Sequence, residues 1–461
     1  MAYIDDKYSI KIDGKGYILS HRDGKHYYQK RKAPEYVSRT SSGDRAYRDS
    51  TFWQYWVQVN WRNGAKQLKW DDPGKYYKSS NVNVTQLEEL TLSRALTSTG
   101  QIASGVDVNT LSAWRSSQSW WNANYGYRKQ LTITAPSGQQ APSGYPIVVT
   151  EDTAALVTAS KMRSDRNDLR IVYWNGTSWN DLTRDYVSTT RTVFALQASI
   201  AANGSDSNYY IYYGYSAEST NKQPTSDSEW NSVYAMFGTS FDANTLAVYH
   251  FDNGSGSTIT DRDGAYDLST SGMTWGTDGR ISRYGNFGNA GDYASNTSSD
   301  FNLGSFTYEC LYYTGTGTGG TQMIVNRVTS SDQRQVYFNR RADGKLELGW
   351  QGQASADLVG STTLSDNTWY WVAASYDGST ARLFVNGTQD GSKSDSGWVT
   401  SQSTATLWLG KKTTGGADET NGRITNLRIS NAGRSSFPHH LATDPAVSTG
   451  SELPTHPPSS N

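Results

Sequence analysis

Hydrolysis of a glycosidic bond needs two carboxyl groups held about 5–9.5 Å apart across the sugar. This 461-residue chain carries 43 acidic residues, of which only ten are glutamate; between residues 241 and 440 the glutamates are Glu309, Glu347 and Glu419. None has an acidic neighbour at the Glu-x-Asp-x-x-Glu spacing that would set two carboxylates on one strand face. Glu309 lies between Tyr308 and Cys310 in the strand-like FTYECLYY, and Glu347 alternates with Leu346 and Leu348 as an outward-facing strand residue does. Asp261, Asp263 and Asp267 cluster in DRDGAYD, which lacks the distal glutamate of an EF-hand loop. Asp261 and Asp263 are the candidate ligands for a structural Ca²⁺; no other cofactor is expected.

Nucleophile chemistry finds no better support. The one cysteine, Cys310, sits in a strand-like run and reads as a small buried thiol. No G-x-S-x-G elbow and no phosphate-cradling Gly-Lys-Ser/Thr loop occurs. The histidines, His21, His26, His250, the pair His439–His440 and His456, show no H-x-x-x-H or H-E-x-x-H spacing. The chain is therefore expected not to be an enzyme.

Binding is the stronger reading, because aromatic ring faces stack on the C–H surfaces of sugars. Trp350, Trp369, Trp371, Trp398 and Trp408 are the candidates. Trp369 and Trp371 share strand parity and so face one side, which for large aromatics is ordinarily core. Trp350 and Trp398 adjoin polar, loop-like sequence (QGQASAD, SDSGWVTSQ) and are the two expected to be exposed for carbohydrate.

The elements that must hold these residues are strands. Charged residues are 18% of the chain and aromatics 13%, with 31 Tyr, 16 Trp and 43 Gly. Few Glu and Lys speak against helices, and Tyr, Trp and Thr favour pleated surfaces. The class is all-β. Asp-Gly and Asn-Gly dipeptides mark hairpins, most clearly in TWYWVAASYDGSTARLFVNGTQDG. Strand spacing and composition divide the chain into a β-rich docking module and connector (1–118), a β-sandwich (119–218), a linker (219–232), a jelly roll (233–445) and a Pro/Ser-rich tail (446–461). No run of 18 apolar residues exists, and the acidic start MAYIDD lacks the basic region of a signal peptide, so no membrane partner or Sec export is expected.

Net charge is −1, yet residues 1–80 hold 16 Lys+Arg against 9 Asp+Glu. That local excess of +7 leaves −8 for the remainder. It is interleaved with aromatics, and Tyr27, Tyr28, Arg45, Arg48, Trp53, Trp56 and Trp61 are the candidate docking surface. Arg and aromatics are favoured at protein interfaces. No RNA-binding signature occurs, so protein docking stands above nucleic acid.

Residues 246–268 (LAVYHFDNGSGSTITDRDGAYDL), YGNFGNAGDYAS, SFTYECLYY, the hairpin WYWVAASYDGSTARLFVNGTQDG and GRITNLRIS together resemble the concanavalin A-like, LamG-type jelly-roll family. Two departures stand out. Leu311 replaces the tryptophan usual in its strand, and Thr425 and Asn426 stand near the usual acid of the closing strand. The Trp120–Trp121 pair, YRKQLTIT, DLRIVYW and YYIYYGYS resemble an uncharacterised sandwich domain that commonly precedes such jelly rolls. The tandem resembles phage tail or fibre proteins and prokaryotic surface adhesins, and FWQYWVQVNWRNGAKQLKWDDPGKYY resembles phage tail proteins. The resemblance implies a virion structural component made in a host cytoplasm, anchored by its N-terminal region. Its partners would be other virion proteins, further copies of itself and a host surface polysaccharide. A cell-surface carbohydrate-binding adhesin and a polysaccharide depolymerase are the alternatives.

Overall fold

A computed structural model describes side chains for residues 120–453, apart from 290, 317–319, 330, 332, 351–356, 396–403 and 413–420. Before residue 120 it describes the backbone of seven strands. The chain is all-β and forms two compact units, Met1–Trp121 and Asn122–Asn461. In the first, β1 (Tyr8–Ile12), β2 (Lys15–His21), β3 (Tyr27–Tyr28), β6 (Gln58–Asn60) and β7 (Lys78–Asn83) form one sheet in that order. There β4 (Tyr36–Arg39) pairs with β5 (Arg45–Tyr47).

The second unit begins with a sandwich built from β8 (Tyr127–Thr134), β9 (Pro146–Val149), β10 (Arg170–Trp174), β11 (Trp179–Leu182), β12 (Asp185–Ser188), β13 (Arg191–Ala195) and β14 (Ser205–Tyr213). Asn175-Gly176 turns β10 into β11, with Gly176 at φ +98° and the Asn175 side chain accepting from the Thr177 and Ser178 amides. One sheet runs β11-β10-β14-β8 and the facing one β12-β13-β9. A short helix α1 (Thr153–Thr158) is capped by Asp152.

Residues 219–232, which read as a linker, end in a second helix, α2 (Asp227–Val233). Ser226 accepts from the Glu229 amide while Glu229 reaches back to the Ser226 amide, the reciprocal capping that fixes a helix start.

The jelly roll follows. Its strands are β15 (Thr245–Tyr249), β16 (Thr258–Ile259), β17 (Leu268–Ser271), β18 (Thr274–Gly276), β19 (Tyr284–Phe287), β20 (Tyr293–Asn296), β21 (Phe306–Thr314) and β22 (Gln322–Val328). The second half contributes β23 (Arg334–Arg340), β24 (Lys345–Gly349), β25 (Leu358–Thr363), β26 (Trp369–Tyr376), β27 (Thr380–Val385), β28 (Thr388–Ser394), β29 (Thr406–Leu409) and β30 (Gly422–Ser430). One sheet runs β18-β19-β30-β21-β26-β27-β28, with β15 added beside β30; the other runs β16-β17-β20-β29-β22-β23-β24-β25. The two close on a core containing Tyr249, Phe287, Phe306, Tyr308, Phe338, Leu348 and Trp350.

Strand β21 shows why a sequence pattern fails at one point. Phe306, Tyr308, Cys310 and Tyr312 point into the jelly-roll core, but the opposite parity is also buried. Leu311 and its register partner Trp371 belong to the other core, with Leu131, Ile147 and Phe194 of the first sandwich. Leu311, where a tryptophan is usual, thus abuts Trp371, which fills that space. Residues from both sandwiches share one apolar cluster, so they meet as packed cores rather than as beads on a string.

The chain after the jelly roll then returns to the first sandwich. β31 (Ala446–Thr449) pairs antiparallel with β8, Ala446 opposite Thr134, and β32 (Leu453–Pro454) continues along the same strand. A segment read as a tail therefore covers an edge that would otherwise expose unpaired backbone. Among the described residues no helix is long and apolar enough to cross a membrane.

Candidate functional site

Strands β30, β21 and β26 lie side by side, so residues opposite one another in register share a face. On the face turned away from the jelly-roll core, Arg428 pairs with Glu309 and Leu311 with Trp371. Farther along, Arg423, Tyr313 and Trp369 form a row across the three strands, which Asn286 of β19 extends. The first sandwich covers the middle of this face. The row ending in Trp369 remains partly open: Asn286, Arg423, Tyr313 and Trp369 are all half-buried.

The open part is an aromatic ledge. The Trp369 ring lies 5.3 Å from Tyr313 and 5.8 Å from Tyr284, centroid to centroid. The Arg423 guanidinium carbon lies 4.6 Å from the centroid of Tyr284 and 4.6 Å from that of Tyr313. The Tyr284 hydroxyl donates to Asp278 at 2.8 Å; burial, then that bond, pushes the phenol up to about 12. Trp369 is tilted to Tyr313 and edge-on to Tyr284, so the rings of Trp369 and Tyr313 stand partly open over the buried Tyr284.

At the covered end of the same face is a buried ionic cluster. Arg428 Nε and Nη2 donate to Glu309 Oε1 at 2.6 and 2.5 Å. His439 and His440 each set Nε2 on Glu309 Oε2, at 2.8 and 2.9 Å. All three non-arginine members are under 5% exposed. Burial alone would raise the Glu309 carboxyl, but Arg428 and the two imidazoles outweigh it and hold the carboxyl well below the usual range. Burial pushes His440 down to about 4 against the pull of Glu309. The His440 ring is stacked between Trp371 and Phe437, 4.6 Å from each.

The three candidate ligand atoms of Glu309, His439 and His440 lie within 4.8 Å of one another. A metal there would displace the proton that each Nε2 gives to Glu309 and would sit against the Arg428 guanidinium. The cluster fits a closed ionic lock better than a metal centre, pinning the Phe437–Leu441 segment to β21 and β30. Beside it, a cleft of about 340 Å³ opens between Gln139 and Pro142 of the first sandwich, Asn386 and Thr388 of the jelly roll, and Phe437 and His440.

The lock makes a pH prediction. His440 at about 4 and His250 at about 3, the latter buried against Asn231 and Asn426, both lie below the ordinary histidine value near 6.5. Between pH 6.5 and 4 the unfolded chain binds protons at these sites that the folded chain refuses, so stability falls as pH falls. The cost is on the order of 2 kcal/mol per histidine by pH 5. Glu309 adds to it at lower pH: its depressed carboxyl stabilises above about pH 4.3, and that contribution is lost as pH drops further toward its folded value. Melting temperatures between pH 7 and 4 should fall steadily, and His440→Gln should flatten the upper part of that curve. A melting temperature constant from pH 7 to 5 would contradict this account.

Several expected site residues are placed differently. Trp350 is 1% exposed, within the jelly-roll core, with Tyr376 at 6.2 Å. It continues the parity of Leu346 and Leu348, and this alternation is a better guide to its direction than the polar sequence beyond it. Asp261 is 1% exposed, and its carboxylate accepts from the amides of Val248, Asp263, Ala265 and Tyr266. It organises a turn, and its oxygens are committed to amides rather than free for calcium; Asp263 is exposed beside it. Trp398 lies outside the described residues, as do Arg48, Trp53, Trp56 and Trp61; Tyr27, Tyr28 and Arg45 lie in strands whose backbone alone is described. Trp369 and Trp371, read together as core, divide: Trp371 is buried and Trp369 opens onto the ledge. Arg423, Tyr313 and Tyr284 were not singled out by the sequence, although the i, i+2 parity of Leu311 and Tyr313 carries a trace of the shared face.

The model of the concanavalin A-like lectin/glucanases superfamily matches residues 287–436. No curated protein sequence matches the chain. Among solved structures, a Trypanosoma rangeli sialidase in complex with the inhibitor DANA is similar at 12% identity and a TM-score of 0.36, covering 54% of this chain and 42% of its own. Domain 4 of AbnA, an extracellular arabinanase from Geobacillus stearothermophilus solved with arabinotriose, is 17% identical at a TM-score of 0.35, covering 43% of this chain and 98% of that domain. Botulinum neurotoxin type C is 12% identical at a TM-score of 0.33, covering 41% and 48%. The chain thus spans less than half the length of the sialidase and neurotoxin chains it resembles.

Proposed function

We propose that this chain, whose residues 287–436 form a concanavalin A-like lectin/glucanase-superfamily domain, is a non-enzymatic glycan-binding protein. The observation that carries the reading is the half-open ledge of Trp369 and Tyr313, backed by the buried Tyr284, on the outer jelly-roll face. Glu309, which is buried, is engaged by Arg428 and two histidines, and the half-buried Glu347 by Asn339 and Arg341. The finer proposal is a structural role in a phage-like particle. The basic, aromatic residues 1–80 would dock to neighbouring particle proteins, and the jelly roll would adhere to host surface polysaccharide. The composition of residues 1–80 and the resemblance of the tandem support this part.

The test is multivalent display of the full chain on a glycan array, followed by Trp369→Ala. A central tryptophan in a binding surface is worth about 2 kcal/mol, so affinity for the bound glycans should drop about thirtyfold. Trp369 is partly buried against the core shared by the two sandwiches, so the melting temperature should fall as well, and affinities are compared at a temperature where both proteins are folded. Absence of any glycan binding, or wild-type binding by the variant, would overturn the proposal. Release of reducing ends from a bound polysaccharide would overturn its non-enzymatic part.

A further inference from the structure

Many arginines of this unit are paired with a carboxylate. Arg428 lies on Glu309, Arg283 on Asp185, Arg262 on Asp252, Arg280 on Asp444, Arg382 on Asp377 and Arg434 on Asp242. Arg423 is among those that have none within reach in the described residues, as are Arg184, Arg191 and Arg327, which donate to neutral oxygens instead. Its guanidinium is held between the rings of Tyr284 and Tyr313, and no described carboxylate lies within 4.0 Å of its nitrogens. Ring contacts use the π face of a guanidinium and none of its five N–H donors. The group is half-buried, so it is partly stripped of water without an anion to compensate.

The surroundings sharpen the point. Asp278 accepts a hydrogen bond from the Tyr284 hydroxyl. Asn286, opposite Arg423 in register, offers a second polar side chain; its amide donates to Thr274 at 3.3 Å. Arg191 donates to the Gly279 carbonyl at 2.7 Å, next to Asp278, and has no carboxylate partner among the described residues. The ledge therefore joins a stacking surface to an uncompensated, pre-oriented guanidinium. A guanidinium fork matches the geometry of a carboxylate or sulfate and pairs with it more strongly than with a neutral hydroxyl.

Resting on the reading of the ledge as a glycan site, we propose that its ligand is an acidic saccharide. The sugar ring would stack on Trp369 and Tyr313, and its anionic group, a carboxylate or a sulfate, would be bound by Arg423. A phosphate-chain partner is disfavoured because such binding rests on many cations in line, and the described ledge presents a single arginine among its rings.

An array holding neutral, uronate-bearing, sialylated and sulfated glycans separates the outcomes with the full chain. Binding is expected only to the acidic members, at least tenfold above their neutral counterparts, and weakened by salt. Carbodiimide reduction of the carboxyl groups in a bound glycan should abolish binding if a carboxylate is read, and desulfation should do so if a sulfate is read. Arg423→Gln should erase the preference for acid while the melting temperature holds, and Arg423→Lys should recover only part of it, since a point charge lacks the fork. Binding of neutral glycans equal to acidic ones would overturn this inference and leave the glycan reading intact. Acid-selective binding unchanged in Arg423→Gln would also overturn it, while binding of no saccharide would overturn both.

Discussion

The Glu309→Gln protein is expected to lose about 3–5 kcal/mol of folding stability, the usual cost of removing one partner from a buried ion pair. Glutamine nearly preserves the shape, so the loss isolates charge. Arg428 would keep its guanidinium at 8% side-chain exposure with no anion, over the Phe237 ring at 4.8 Å. His439 and His440 would each lose a charged acceptor for Nε2. For a unit of this size the drop corresponds to a fall in melting temperature of roughly 4–7 °C. The double replacement Glu309→Leu with Arg428→Met removes both charges and should recover most of the loss. Denaturant titration of the single and double variants measures both quantities. A single variant within about 1 kcal/mol of the wild type would show that the cluster is not the lock described above.

Asp185→Ala is expected to have a comparable effect of a different kind. Asp185 of β12 is fully buried, and its carboxylate accepts from Tyr234 at 2.7 Å, from Gln223 at 2.6 Å and from Arg283 at 2.5 Å. Arg283 belongs to the jelly roll, Tyr234 follows α2, and Gln223 precedes it, so one carboxylate joins both sandwiches and the segment between them. Burial and the adjacent carboxylate push the Tyr234 phenol well above its ordinary value, so it stays a donor. Removing Asp185 leaves a buried guanidinium without its anion, again about 3–5 kcal/mol, and concentrates the damage between the sandwiches. In calorimetry the wild-type Asn122–Asn461 unit should melt in one transition. The variant should split it, with the first sandwich and the jelly roll melting apart. One unsplit transition near the wild-type temperature would sink the argument.

These two acids show what pattern reading can reach. The hairpins were legible because tight turns demand positive φ: Gly378 at +97°, Asn386 at +49° and Gly387 at +80° occupy the Asp-Gly and Asn-Gly positions. The jelly roll was legible as a series of strand blocks whose order resembles a known family. The ionic lock was not legible. Glu309 and the His439–His440 pair are 130 residues apart in sequence, and β21 is buried on both faces, so alternation gives no sign that its outward parity meets anything. The ledge was half legible: the shared parity of Trp369 and Trp371 was visible, and where the covering sandwich stops was not.

The sequence by itself determined the all-β class, the hairpin register and the composition that disfavours paired carboxylates, because backbone φ, strand alternation and residue inventory are local properties. Tertiary structure alone decided which tryptophan is open, which acid is locked and that the returning strand β31 seals the first sandwich. Those outcomes depend on which faces two sandwiches present to each other. That choice is set by contacts between residues far apart along the chain, and no local pattern encodes it.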